Sequence, residues 1–117
     1  MGAGVFHPLM PQFDVHATPG RNRQTIRYVV NVQSQRYDRL ATRVVVPLMI
    51  ARAVPTGIEL DMMPGFEIDG TWVYLNPLEM QTVPRSVLGP VVASLADDNA
   101  STRIIAAIDM MVTRAYG

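Results

Sequence analysis

The chain contains no cysteine and no lysine, and it has no apolar stretch long enough to cross a bilayer. The absence of cysteine excludes disulfides and thiolate metal sites. A membrane-spanning helix needs roughly 18 consecutive apolar residues, and the N-terminus lacks the charged and then apolar pattern of a signal peptide. We therefore expect a soluble, cytoplasmic protein that has no membrane partner.

The ten cations are all arginine, and they are unevenly distributed. Residues 1–54 carry seven arginines against two aspartates, whereas residues 55–117 carry three arginines against eight carboxylates. The formal net charge is zero, which weighs against a dedicated nucleic-acid binder held by phosphate neutralisation. The asymmetry indicates either a basic surface for an acidic partner or a phosphate, or neighbouring strands whose charges cancel.

The length and composition fit one domain. At 117 residues, of which 49% are hydrophobic, the chain is long enough to bury a core. Residues 1–10 show no hydrophobic period and are interpreted as a disordered leader or tag, with Met10 as a second candidate start. The single domain is predicted to span residues 11–117.

Alternating apolar and β-branched residues predict short strands in the first half of the chain. Phe13–His16 and Thr25–Val32 form a predicted hairpin around Thr18–Asn22, which holds the proline and glycine of a turn. Thr42–Val46 is the third predicted strand. Pro47 cannot donate a ladder hydrogen bond and is expected to mark the end or an edge of that strand.

The clearest local signal lies in the second half of the chain. Asp69 and Gly70 stand at the centre of Phe66–Leu75, with alternating apolar residues on both sides. This pattern predicts a hairpin with a two-residue type I′ turn. Leu78–Val83 is a further strand candidate, and Pro84–Gly89 is predicted to form one helical turn.

The last element is predicted to be a helix, capped by Asn99 or Ser101. With the preceding five or more strands it makes the fold mainly β with a C-terminal α-helix, a small curved barrel-like sheet that the helix packs on. Its apolar stripe consists of residues at helical spacing. These are Ile104, Ile105, Ile108, Met111, Val112 and Ala115.

No metal site and no cofactor are predicted. His7 lies in the leader, and His16 alternates with apolar residues on a strand. Neither histidine has acidic residues at metal-ligand spacing, so neither is expected to bind a metal.

The arginines of the first hairpin suggest an enzymatic alternative. Arg21, Arg23 and Arg27, with Tyr28 or Tyr37, could hold a single-stranded phosphate chain and stack a base. Such a site would cleave RNA without a metal. The other interpretation is that these arginines are exposed turn residues.

The chain has eight methionines, and four of them stand as adjacent pairs, Met62–Met63 and Met110–Met111. Adjacent residues cannot share one face of a helix or strand, so each pair is expected to place one thioether at a surface. Met110 and Met111 are therefore placed near a dimer or partner interface. Trp72, the only tryptophan, is interpreted as a core or rim residue, with an interface anchor as the alternative.

Seven segments, taken in order, resemble the CcdB family of plasmid- and chromosome-borne toxins over roughly residues 11–112. The most specific are Thr42–Leu48, Val83–Gly89 and Ala107–Met111. The others are Gln12–Val15, Asn31–Ser34, Phe66–Gly70 and Ser94–Asp97.

The resemblance implies a small SH3-like barrel and a homodimer without enzymatic activity of its own. Family members act on DNA gyrase, a type II topoisomerase: they bind its A subunit and trap the intermediate in which DNA is cleaved. The antitoxin CcdA reverses this, and DNA is reached only through gyrase or the antitoxin. The MazF-type toxins share the barrel and cleave RNA, so fold analogy keeps a metal-independent endoribonuclease open.

The resemblance places target binding on the helix end and on one loop. By position these are Asp109, Val112, Thr113, Arg114, Ala115 and Tyr116, with Arg36 and Tyr37 in the loop. The expected dimer interface consists of Ile108, Met110 and Met111.

The recognition tip departs from the family pattern. Arg114 stands where a glycine is usual, Ala115 replaces a bulky apolar residue, and Arg36-Tyr37 replaces two apolar contact residues. A third possibility is therefore a homologue that is not toxic and only binds its antitoxin.

Overall fold

A computed structural model describes residues 10–18, 25–58 and 60–113. In these ranges one seven-stranded antiparallel sheet is followed by a single α-helix. The predicted fold class, mainly β with a C-terminal helix, is confirmed. The elements are β1 (Asp14–Ala17), β2 (Ile26–Asn31), β3 (Thr42–Met49), β4 (Gly65–Ile68), β5 (Thr71–Leu75), β6 (Gln81–Pro84), β7 (Val91–Ser94) and α1 (Asp98–Val112).

The sheet curves around its longest strand, β3. The strand order is β4-β5-β3-β2-β1-β7, and β6 also pairs with β3. One edge of β3 follows β2, while the other edge pairs first with β6 through Thr42–Val45 and then with β5 through Leu48 and Met49. Because two strands share one edge of β3, the sheet bends into a half-barrel.

Pro47 does not end the third strand, which was one of the two positions predicted for it. It lies inside β3, opposite Val29 of β2, and its carbonyl accepts a hydrogen bond from the Asn76 backbone N–H at 3.0 Å. The carbonyl and nitrogen of one strand residue point to the same side, so the missing N–H faces the gap between β6 and β5. No ladder bond is lost there, which explains how an interior proline is tolerated.

The Asp-Gly hairpin is confirmed. Ile68 of β4 pairs with Thr71 of β5, and the two turn residues, Asp69 and Gly70, have φ angles of 53° and 81°. Positive φ at both positions defines the type I′ turn, whose twist matches that of the strands.

Replacing Gly70 by alanine is expected to lower the free energy of unfolding by about 1–2 kcal/mol, because a Cβ disfavours the left-handed conformation. There is open space around the position, so the cost is conformational rather than steric. Urea denaturation measures the change. Asp69→Asn is the matched control, since asparagine tolerates the left-handed region and should change stability little. Equal losses in both variants would contradict this account.

The core lies between the concave face of the sheet and α1. Val15, Val30 and Val46 from three adjacent strands are fully buried and pack with Ile104 and Ala107 of the helix. The other core residues are Leu48, Phe66, Ile68, Val73, Leu75, Leu95 and Ala100.

The start of α1 differs from the prediction. Asp97, and neither Asn99 nor Ser101, caps the helix: its carboxylate accepts a hydrogen bond from the Ala100 backbone N–H at 3.0 Å. Ser101 instead donates its hydroxyl to the Asp97 carbonyl at 2.7 Å. Asp97 lies three residues before Ala100, the spacing at which a capping carboxylate reaches the N–H of the first turn.

The buried face of α1 is rotated relative to the predicted stripe. Ala107, expected off the stripe, is fully buried, while Ile105 is 41% exposed and Val112 is 67% exposed. Small residues let the helix approach the sheet closely, so the face that carries Ala100 and Ala107 is the one that packs.

Other predictions concern shorter segments. The expected strand Leu78–Val83 begins only at Gln81, because Pro77–Glu79 forms a 3-10 turn capped by Asn76. The helical turn predicted within Pro84–Gly89 is confirmed as a 3-10 turn at Arg85–Val87. Strand β7 was not predicted.

The rule for adjacent methionines holds for one pair only. Met110 is 40% exposed beside a half-buried Met111, as expected for a helix. Met62 and Met63 are both buried, at 8% and 2% exposure. They lie in an irregular turn before β4, where side chains need not alternate between faces.

Several predictions fall outside the described residues. These are the leader at residues 1–9, most of the first turn with Arg21 and Arg23, and the tail with Arg114, Ala115 and Tyr116. Over the ranges that are described, the chain has no helix long and apolar enough to span a membrane.

Candidate functional site

The outward side of α1 exposes apolar side chains at its two borders. Ile105 and Val112, seven residues apart, share one border and are 41% and 67% exposed, while Met110, 40% exposed, lies on the other. Exposed polar residues separate the two borders, among them Thr102 and Asp109. Exposed large apolar side chains are candidates for contact with another molecule.

The end of the helix places three of the predicted target residues together. Asp109 and Val112 lie in the last turn of α1, and Thr113 follows as the C-cap. Thr113 has an extended backbone and donates its hydroxyl to the Asp109 carbonyl, which satisfies one of the free carbonyls of the helix end. Asp109, Val112 and Thr113 are all exposed.

The helix ends three residues before Ala115, where the predicted stripe ended. Thr113 has already left the helical conformation, with φ −67° and ψ 136°. Val112, the last residue of the helix, is 67% exposed, so its side chain gains little from packing.

The expected dimer residues occupy different environments. Ile108 is partly buried and packs against the core, Met111 is half-buried, and Met110 is exposed. Their assignment to a dimer interface stays a prediction.

The second predicted segment is the loop between β2 and β3. Gln35–Tyr37 forms a 3-10 turn that begins at Ser34, whose hydroxyl accepts from the Arg36 N–H at 3.2 Å. Arg36 is exposed, and Tyr37 is 53% exposed. The loop thus presents an arginine and an aromatic side chain to solvent.

A buried ion pair holds this loop from beneath. Arg43 of β3 is 1% exposed and contacts the Asp38 carboxylate at 2.8 Å. The same guanidinium donates to the carbonyls of Leu40 and Thr42, each at 2.7 Å, and to that of Asp38 at 2.8 Å. A charge-assisted fork of this kind fixes the loop backbone.

The N-terminal segment Met10–Phe13 joins the loop to the helix. The Met10 N–H donates to the Asp38 carboxylate at 3.4 Å, and the Gln12 amide donates to the Val32 carbonyl at 2.9 Å. On its other side, Gln12 lines a cavity of about 520 Å³ together with Asp109. The N-terminal segment therefore contacts Asp38 of the loop and also lines the cavity that Asp109 borders. The other cavity residues are Phe13, Ser101, Thr102, Ile105 and Ala106.

Phe13 is held in a strained conformation within this segment. Its φ angle is 72°, which is rare for a bulky side chain. Two backbone hydrogen bonds fix it: its N–H donates to the Asn31 carbonyl at 2.6 Å, and its carbonyl accepts from the Leu95 N–H at 2.9 Å. The strand alternation of residues 13–16 gave no sign of this kink.

The residues proposed for RNA cleavage are only partly described. Arg27 is exposed, but Tyr28 packs against the core, which leaves it poorly placed to stack a base. Tyr37 is exposed on a different loop.

His16 is a core residue. It is 1% exposed, and its Nδ1 lies 2.9 Å from the Gly89 carbonyl oxygen, so Nδ1 carries the proton. Its Nε2 has no hydrogen-bond partner. Burial raises the pKa of the nearby Asp14 carboxyl, an effect that His16 partly offsets. This environment keeps the imidazole away from solvent and from any polymer bound at the surface.

Two supporting features were missed in the sequence. A lone arginine inside a β-branched strand, at Arg43, signals a buried cation that needs a partner, and Asp38 is the nearest acid on the preceding loop. The role of Met10–Phe13 depends on contacts with residues about 20 positions away, which no local pattern reveals.

The described chain combines a half-barrel sheet with one C-terminal helix whose last residue, Val112, is exposed. The family model for "CcdB protein" matches residues 12–113. The chain belongs to the CcdB family, which consists of toxins of toxin–antitoxin systems that are generally not enzymes. No curated protein sequence matches the chain significantly.

Proposed function

We propose that the chain is a toxin that poisons DNA gyrase by binding its A subunit, and that a CcdA-like antitoxin neutralises it. The observation that carries this proposal is the exposed helix end, where Val112 is 67% solvent-accessible. An apolar side chain on a rigid helix end is a typical interface anchor once a partner covers it.

The loop supplies the second contact. Tyr37 is 53% exposed on a turn that the Arg43–Asp38 ion pair supports. Tyrosine and arginine are over-represented at the centres of interfaces. Arg36 and Tyr37 together replace the two apolar contacts of the family pattern and favour a more polar or acidic target surface.

The toxin needs no chemistry of its own in this mechanism. Gyrase cleaves and rejoins DNA through its own active site, and a protein that binds tightly to the cleaved state shifts the population toward it. Binding energy from the helix end and the loop would therefore appear as accumulated cleaved DNA.

A gyrase cleavage assay tests the proposal. Purified protein should make gyrase leave linear DNA from a supercoiled plasmid, while single-stranded RNA incubated with the protein stays intact. If the protein instead cleaves RNA without a metal, and if Arg21→Ala or Arg23→Ala abolishes that cleavage, the protein is a ribonuclease and the proposal is wrong. Neither cleaved DNA nor cleaved RNA would indicate a non-toxic homologue.

We also predict a homodimer. Ile105 and Val112 on one side of α1 and Met110 on the other leave more apolar side-chain surface exposed than a single helix of a small monomer normally does. Sedimentation at micromolar concentration should give about twice the chain mass of 12.9 kDa. A monomer at that concentration would contradict the prediction.

A further inference from the structure

The corner of the sheet where β3 begins has more positive charge than the surrounding chain balances. Residues 32–46 carry three arginines and one acid, Asp38. Residues 81–94, which include the strand β6 beside this part of β3, add Arg85 and no acid. None of the strands that pair with β3, which are β2, β5 and β6, contains an acidic residue. Neighbouring strands therefore do not cancel the charge here, and the basic surface expected from the sequence lies at this corner.

The single acid of the loop is already paired with a buried cation. Arg43 is 1% exposed and contacts the Asp38 carboxylate at 2.8 Å. The Asp38 carbonyl oxygen accepts from Arg43 at 2.8 Å and also from the Arg85 guanidinium at 3.3 Å. Two guanidiniums thus meet at one backbone oxygen beside one carboxylate. The pair compensates a single charge and leaves a positive field at the surface above it.

Arg36 and Arg39 place two further charges on that surface, where both are exposed. Three overlapping turns with hydrogen bonds between residues three apart run through residues 34–40, and residues three apart in such turns lie on similar sides. Tyr37, 53% exposed, stands between the two arginines in the chain. We name Arg36, Tyr37, Arg39 and Arg85 together the arginine corner.

Arginines beside an exposed aromatic ring fit a single-stranded nucleic acid. A guanidinium binds phosphate oxygens through paired N–H donors, and an exposed ring stacks on an unpaired base of any sequence. An acidic protein segment would match the charges of Arg36 and Arg39 but would leave the Tyr37 ring without a flat partner. Because the whole chain has no net charge, attraction is confined to this corner, and binding is expected to be weak and sensitive to salt.

We propose that the arginine corner binds a single-stranded segment of nucleic acid. Arg36 and Arg39 bind two of its phosphates, one base stacks on Tyr37, and Arg85 adds positive charge behind them. Phosphates and bases are common to DNA and RNA, so this contact accepts either chain. The inference concerns the loop that is proposed to contact gyrase, and it rests on the proposed function only for the source of the strand, an end of the DNA that gyrase has cleaved.

Fluorescence anisotropy of a labelled oligo-dT of about 12 nucleotides tests the binding with the intact protein and without gyrase. Two phosphate contacts on a single strand predict that the logarithm of the association constant falls with that of the salt concentration at a slope of about −1.4. Affinity should therefore drop about 25-fold between roughly 20 and 200 mM salt. No binding at the lower concentration, or no dependence on salt, would overturn the proposal. Tighter binding of oligo-dT or of oligo-U of equal length assigns the strand to DNA or to RNA.

Single substitutions locate the contact. Arg36→Gln and Arg39→Gln each remove one phosphate contact and should each reduce the slope to about −0.7. Arg52→Gln is the matched control, because Arg52 is exposed in the turn after the other end of β3 and should leave the slope unchanged. If Arg27→Gln lowers the slope and the loop variants do not, the strand lies on the first hairpin and the proposal is wrong.

The stacking contact is tested at Tyr37. Tyr37→Ser should weaken oligo-dT binding about tenfold, whereas Tyr37→Phe should retain the affinity because its ring still stacks. Melting temperatures verify that each variant is folded. Equal losses in the two variants, or no loss in either, would show that the ring does not stack on a base and would overturn the proposal.

A peptide of about 12 glutamates tests the other class of partner. It carries the charges of the oligonucleotide without its bases, so it should bind at least about tenfold more weakly at equal salt. Equal or tighter binding of the peptide would show that the corner recognises an acidic protein, and the nucleic-acid proposal would be wrong.

Two further measurements separate this site from a dimer contact and from the proposed function. If the Arg36→Gln, Arg39→Gln double variant changes the association state in sedimentation, a second copy of the chain covers the corner and the proposal is wrong. The gyrase assay is an independent readout. Oligonucleotide binding without cleavage of plasmid DNA by gyrase would support this site and refute only the proposed target, whereas plasmid cleavage without oligonucleotide binding would refute only this site.

Discussion

Asp38→Ala is expected to lower the free energy of unfolding by about 3 kcal/mol or more, a large part of the stability of a small domain. The reason is the environment of Arg43, which is 1% exposed and pairs with Asp38 at 2.8 Å. Removing the carboxylate leaves a buried guanidinium whose positive charge is balanced only by backbone carbonyls. Chemical denaturation with a two-state fit measures the loss.

The matched control is Glu67→Ala. Glu67 is exposed on β4, so its removal should change stability by less than about 0.5 kcal/mol. Asp38→Asn should fall between the two, because the amide keeps a hydrogen-bond acceptor but loses the charge. If Asp38→Ala costs no more than the control, the three carbonyls alone satisfy Arg43, and the ion pair contributes little.

The same substitution links stability to the proposed site. The Asp38 carboxylate also accepts the Met10 N–H, so it joins the N-terminal segment to the loop that carries Tyr37. At a temperature where the variant is still folded, the loop should exchange its amide protons faster than in the unchanged protein. Toxicity should fall by more than the folded fraction alone explains.

Local sequence patterns predicted the elements whose conformation is determined by residues close together in the chain. The Asp69-Gly70 hairpin is the clearest case, because the turn chemistry and the flanking alternation specify both strands and their register. The C-terminal helix was predicted for the same reason, from a period that runs over its whole length.

The predictions that failed depended on distant partners. Pro47 is tolerated inside β3 because of how β6 and β5 pair with the edge of β3 that does not face β2. They pair with different parts of that edge, which leaves no ladder partner for the nitrogen of Pro47. Strand β7 was missed because its residues are mostly exposed and do not alternate, so its only signal is its pairing with β1. The rotation of α1 likewise follows from how closely Ala107 can approach the sheet.

The candidate site shows the same division. The family resemblance located the helix end and the loop, and both lie exposed in the structure. It did not reveal the buried Arg43–Asp38 pair beneath the loop, because that pair depends on which side chains this particular chain brings together.

Deleting residues 114–117 is expected to abolish toxicity in cells while leaving the melting temperature and dimerisation nearly unchanged. The helix already ends at Val112, and the Thr113 hydroxyl donates to the Asp109 carbonyl, so this end of the helix is capped without the deleted residues. We predict that Val112, Thr113 and Tyr116 form the target-contacting end, with Arg114 free to meet an acidic group or a phosphate. Cell survival after induction, together with thermal unfolding of the purified variant, measures both effects.

Val112→Glu tests the same surface without shortening the chain. Val112 is 67% exposed, so a glutamate there should cost less than about 0.5 kcal/mol of folding stability. At the centre of an interface, however, a buried charge in place of an apolar anchor should cost at least about 2 kcal/mol, or roughly a 30-fold loss of gyrase binding. Val87→Glu is the matched control, because Val87 is 47% exposed at a turn away from the helix end. If the truncated protein unfolds, the tail is structural. If both glutamate variants remain equally toxic, target recognition lies elsewhere on the surface.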